Sequence, residues 1–140
     1  MKNKVLVMVL AMVLVFSCTA AAFADSGNGG IAPLSTVSVV FAIQRTSGTT
    51  ADADVSVTFS GEADEYSVVV YLQKLVNGSW KNDSTNPDYV FYNNGFNSAG
   101  CLFSHEYDSL TYGVSYRLMV VSRDKHGSSE YRETTYSNLF

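Results

Sequence analysis

From Leu34 to the end of the chain, apolar and polar residues trade places with a period of two, the spacing of strands that bury one face. Val37, Val39, Phe41 and Ile43 share one side of the first such run. Val55, Val57 and Phe59 share one side of the second, with Asp54, Ser56, Thr58 and Ser60 opposite. A third run over 66–75 aligns Tyr66, Val68, Val70 and Leu72, then meets Asn77-Gly78. That dipeptide tolerates positive φ at both central positions and marks a type I′ hairpin, with Trp80 opening the return strand. Residues 83–88 read as a loop, 89–92 as a short strand and Asn93-Asn94-Gly95 as a turn. Cys101, Phe103 and Tyr107 alternate in a further strand, and Tyr116, Leu118 and Val120 in the next. Asp124 to Gly127 then turns the chain into a last strand over 129–137. No helical period of useful length follows residue 24. The pattern predicts one all-β domain over 36–140, a single antiparallel β-sandwich of about seven strands.

The long apolar run that does not alternate stands at the N-terminus. Lys2 and Lys4 precede Val5 to Phe16, and small residues lead to Ala22-Phe23-Ala24. This is the order of a secretory signal peptide. It predicts a leader over 1–24 and a Gly-rich, flexible lead-in over 25–35. The mature chain is then secreted and works outside the cytoplasm. The apolar run is shorter than the ~18 residues a membrane span needs, so no span is expected after cleavage. Two alternatives stay open: an uncleaved anchor, and a lipid anchor on Cys18, with Phe16 where a smaller residue is usual.

Charge and candidate chemistry work mainly by exclusion. The chain carries 9 Lys and Arg against 13 Asp and Glu, a formal net charge of −4, and loss of Lys2 and Lys4 would make it more acidic. With no basic cluster, nucleic acid and anionic lipid are poor partners. Once Cys18 leaves with the leader, Cys101 has no partner for an intramolecular disulfide. Its phase with Phe103 predicts a buried thiol, with an intermolecular bridge as the alternative. His105 in a strand and His126 in a turn lack metal-ligand spacing. No Gly-x-Ser-x-Gly elbow is present. The expectation is a protein that is not an enzyme, with no catalytic residues, cofactor or metal. The acidic groups Asp52/Asp54, Glu62/Asp64/Glu65 and Glu106/Asp108 read as solvated charge, with a weak calcium site as the alternative.

Residues 110–116, Leu-Thr-Tyr-Gly-Val-Ser-Tyr, resemble the Leu-x-Pro-Gly-x-x-Tyr segment of fibronectin type III domains. Leu110, Gly113 and Tyr116 match, and Tyr112 stands where the family has proline. The resemblance covers about thirty residues and implies a fibronectin type III-like or immunoglobulin-like sandwich closed by a tyrosine corner. The second strand offers Phe59 where the family has a core tryptophan. The stretch Tyr71 to Trp80 also resembles small secreted proteins of Gram-positive bacteria. That likeness implies compartment and fold and carries no activity.

Two binding surfaces follow. If Val68, Val70 and Leu72 face inward, as do Tyr116, Leu118 and Val120, the opposite phase turns Val69, Tyr71, Met119 and Val121 outward. The fibronectin topology would make them neighbours, with Arg117 and Arg123 in the same row. Contiguous apolar surface of this kind marks interaction sites. The aromatic segment Trp80 to Phe96, above all Trp80, Tyr89 and Tyr92, could instead stack on sugar rings. The expected function is an extracellular or cell-envelope binding module for a protein or cell-wall component, with a carbohydrate-binding module as the alternative. Self-association into a homodimer stays open.

Overall fold

Strict alternation becomes strand almost throughout. The structure, a computed structural model, describes residues 37–140. The expected leader, Cys18 and the lead-in over 25–35 lie outside the described residues. Six strands follow in order: β1 (Ser38–Arg45), β2 (Ala51–Val76), β3 (Ser79–Asn82), β4 (Val90–Tyr107), β5 (Tyr116–His126) and β6 (Ser129–Tyr136). All pair antiparallel in one sheet that curls into a half-barrel, and no helix occurs among the described residues.

β2, 26 residues long, is the spine. From Ala51 to Thr58 it pairs with β1 on one edge and with Gly100–Tyr107 of β4 on the other. From Glu65 onward β5 takes the first edge and Val90–Phe96 of β4 the second, with β3 continuing beyond it. β6 flanks β5. Between the two halves the β2–β4 register shifts, between Thr58 and Ala63.

Burial changes phase just beyond that shift. Ala51, Ala53, Val55, Val57, Phe59 and Ala63 are buried up to it, and Val68, Val70 and Leu72 after it. In a strand of period two, one extra residue moves the whole apolar set to the opposite face. Both halves of the bent strand therefore turn their apolar sides to one core, shared with Tyr107, Leu110, Tyr116, Leu118 and Val120. Rings of β4 on either side of its irregular stretch, Phe91 and Phe103, meet at 4.7 Å.

Several expected boundaries move. The runs over 55–59 and 66–75 are one strand, and those over 89–92 and 101–107 also merge into one, which starts at Val90. Asn93-Asn94-Gly95 is not a turn but part of β4, opposite Val68 to Tyr66. Gly95 is there because a Cβ would lie 2.9 Å from Cε1 of Tyr66. Asp124 to His126 belong to β5, and the chain reverses at Gly127-Ser128 instead. The Asn77-Gly78 reversal has φ of 51° and 76°, the positive pair that a type I′ turn requires.

Gly100 sits where β4 passes Val57, and a Cβ there would run into the Val57 carbonyl oxygen. That obstacle is backbone and cannot swing aside. Gly100→Ala should cost about 1–3 kcal/mol. Gly61→Ala, with nothing within 4 Å of the added carbon, should change stability by less than about 0.5 kcal/mol. Urea unfolding of both variants measures the difference.

Candidate functional site

With the even positions of the second half of β2 turned inward, the odd ones form an outer face. Val69 stands opposite Val121, and Tyr71 opposite Met119, all four half-buried. β4 and β6 lengthen these rows, because residues directly opposite in a ladder share a face. Tyr92 flanks Val69 and Thr134 flanks Val121; Val90 flanks Tyr71 and Tyr136 flanks Met119. Tyr92 and Tyr136 are 72% and 48% exposed. Trp80 adjoins from β3, opposite Leu75. The two surfaces expected from sequence are thus partly one surface: Val69, Tyr71, Met119 and Val121 lie together, with Trp80 and Tyr92 at their margins. Tyr89 does not join them. It is half-buried and packs against the core, so the trio Trp80, Tyr89 and Tyr92 is not a single platform.

Arg117 crosses this face. Its Nε donates to Oε1 of Gln73 at 2.9 Å. Gln73 in turn donates through Nε2 to Oδ1 of Asn82 at 3.0 Å, with Sδ of Met119 at 3.5 Å. The guanidinium carbon lies 4.4 Å from the Trp80 ring centre and 4.1 Å from that of Tyr136. Both rings offer their electron-rich faces to the cation. Further along, Arg123 binds Glu130 at 2.7 Å and lies 3.9 Å from Glu65. That pairing holds the Glu130 carboxyl below its ordinary range.

One pole of the domain is built around Tyr116. Its hydroxyl accepts from the backbone N–H of Thr111 at 2.9 Å and donates to Oδ2 of Asp83 at 3.3 Å. Leu110 is buried, and Gly113 has a φ of 72°. The ammonium of Lys74 reaches Oδ1 of the buried Asp83 at 2.6 Å, and Thr85 hydrogen-bonds the same oxygen. Burial alone would raise the Asp83 carboxyl. The hydrogen bonds from Lys74 and Thr85 outweigh it and hold the group below its ordinary value. The bond to Asp83 raises Lys74 correspondingly.

A second polar corner escapes any reading of spacing. Nε2 of His105 lies 3.5 Å from Asp88, and the His105 ring packs on Phe91 at 4.6 Å and Tyr107 at 4.8 Å. Burial, with the Asp88 charge, pushes the Tyr107 hydroxyl far above its ordinary range, so it remains a proton donor. Only the closure of the 83–88 loop brings Asp88 here, and the residue order carries no signal of it. Cys101 is half-buried, less enclosed than its phase predicts. It lines a crevice of about 110 Å³ with Val55, Val57, Val68, Val70 and Phe103. Burial raises its thiol pKa, which lowers its thiolate fraction. His126 ends β5, not a turn, and bonds Asp124 at 2.8 Å. Among the acidic groups, Asp52 and Glu106 are cross-strand neighbours, while Glu62, Asp64 and Glu65 lie toward the far side of the β2 register shift.

Asp83 has a depressed folded-state pKa, so its contribution to stability is full above the unfolded carboxylate range and lost as pH falls through the folded value. The raised Lys74 contributes below the unfolded lysine range and loses its effect as pH rises through its folded value. Asp83→Asn should therefore lower Tm most near neutral pH, and the gap to the wild type should close in strong acid. Thermal melts across that pH range read this directly. No family model matches the chain, and no curated protein or solved structure matches it either.

Proposed function

We propose that the protein is a secreted, non-catalytic binding module on a fibronectin type III-like β-sandwich. It recognises a protein of the cell envelope or the extracellular space through the outer face formed by β4, β2, β5 and β6. The observation that carries the reading is the make-up of that face. Tyr71, Met119, Val69, Val121 and Tyr136 are contiguous around Arg117 and Trp80, and no Lys, Asp or Glu falls among them. Aromatic residues, Met and Arg are enriched in interfaces, where Lys, Asp and Glu are depleted, and Trp, Tyr and Arg dominate their energetics.

The fold assignment has two supports. Divided at their irregular stretches, β2 and β4 give one three-stranded arm with β1 and one four-stranded arm with β5 and β6. That makes seven paired segments, in the arrangement expected of fibronectin type III domains, with β3 in addition. The Tyr116 hydroxyl bond to Thr111 has the form of a tyrosine corner.

A carbohydrate-binding role is the second reading, favoured by the shared face of Trp80 and Tyr92. It is weaker because Arg117 covers part of the Trp80 ring and Tyr89 turns toward the core.

Co-sedimentation with isolated cell-wall material, before and after its proteins are stripped, separates the two. Binding should be lost on stripping. Val121→Glu, which places a charge in the middle of the face, should abolish binding while near-UV circular dichroism stays native. Retention on stripped walls would favour the glycan reading, and an unaffected Val121→Glu complex would remove this face from the function.

A further inference from the structure

Resting on that reading of the outer face, we infer that Arg117 is a preformed receptor for one carboxylate, and that its occupant is an Asp or Glu side chain of the partner polypeptide. A guanidinium has five N–H donors in a fixed plane. At Arg117 the Nε donor is spent on Gln73. The guanidinium carbon lies over the rings of Trp80 and Tyr136, 4.4 and 4.1 Å from their centres. Such contacts draw on the charge of the group and hold it in place, and the edge opposite Nε remains to be accounted for. That edge carries the Nη1 and Nη2 donors, which have no hydrogen bond or ion pair among the described residues. They form the fork that matches a carboxylate with two parallel bonds.

The other arginines lack this combination. Arg45 spends both terminal nitrogens on the carbonyls of Gly48 and Val114. Arg123 is engaged by Glu130 and Glu65. Arg132 is exposed on β6, with no ring against its guanidinium among the described residues. Arg117 alone of the four is both held in place and left open at its fork.

The surroundings select the ligand. Four cationic residues, Arg117, Arg123, Lys125 and Arg132, share this face with two acids, Glu65 and Glu130, on a chain of net charge −4. The face is therefore cationic against its own molecule, which suits an acidic partner. Phosphate sites commonly gather several charges on one point. Here Arg123 lies six positions along β5, about 20 Å away at strand rise, and is already neutralised, so one monoanionic carboxylate fits. The fork is bordered by Trp80, Tyr136 and Met119, so apolar residues beside the acid would be buried as it binds. A polypeptide carries such neighbours, whereas a polyuronate does not. Exclusion of water by those neighbours would also strengthen the ion pair.

The test titrates the purified full chain with a random copolymer of L-glutamate and L-alanine and, separately, with polygalacturonate. The readout is the emission of Trp80, the one tryptophan in the sequence. The glutamate–alanine copolymer should change that emission saturably. Arg117→Lys keeps the charge but loses the fork and should weaken binding about tenfold or more, the size of a lost charge-assisted hydrogen bond. Arg123→Gln should change affinity by less than about threefold, as for a surface ion pair. Should Arg117→Lys disturb the fold, the wild type still decides. Its Arg117 Nε–Hε and Trp80 indole resonances must shift together during the titration, and their silence overturns the proposal. Equal losses in Arg117→Lys and Arg123→Gln would mean general charge attraction and also overturn it. Equal or tighter binding of polygalacturonate would overturn the polypeptide occupant. If Val121→Glu abolishes capture from wall material and Arg117→Lys does not, the recognition face stands and the carboxylate receptor falls.

Discussion

The Tyr116 side chain is the constraint on which the rest of the domain depends. It is fully buried, and its hydroxyl joins the backbone of Thr111 to the carboxylate of Asp83, 33 positions away in sequence. Its own backbone N–H and carbonyl both pair with Phe140, whose ring stacks on it. The Arg45 guanidinium lies 5.6 Å from the ring centre and closes the first connection by bonding Gly48. Leu110 next to that corner bonds back to Thr49. Three connections and the C-terminus are thus fixed by one residue. Since no disulfide crosses the described residues, this polar knot and the apolar core hold the pole together. A buried carboxylate would be costly alone. Here Lys74, Thr85 and Tyr116 divide its hydrogen-bonding capacity among them.

Much of the fold was legible because period-two alternation reports directly on burial. The inward phase of Val68, Val70 and Leu72, and of Leu118 and Val120, follows from residue order alone. So does the reversal at Asn77-Gly78, which needs two residues tolerant of positive φ. Continuity was harder to read. Ser60-Gly61-Glu62 carries the composition of a turn, yet the backbone stays extended through a register shift, where local composition says nothing about pairing. Gly95 misled for the opposite reason: its lack of a Cβ serves the Tyr66 ring and not a reversal.

The candidate site divides in the same way. Val69, Tyr71, Met119 and Val121 could be paired from phase once two strands were taken as neighbours. The cluster of Trp80, Arg117 and Tyr136 could not. It joins three strands across the sheet, and no local spacing encodes a diagonal contact between them. Asp88 beside His105 was hidden for a similar reason, since only a closed loop brings them within 3.5 Å. Alternation fixes which way a side chain points, while the lateral order of strands decides what it meets.

The unbroken run of β2 and β4 through both arms has a consequence for the binding proposed for the outer face. Two strands pass from one arm to the other without a linker, and they pair with each other on both sides of the Thr58–Ala63 shift. A hinge at the shift would have to pull apart the apolar core that both arms share. The curvature of the sheet is therefore held by packing on its inner side. A surface shaped before encounter gives up little conformational entropy on docking, so under the proposed function discrimination between partners would fall to the fit of side chains against a fixed contour.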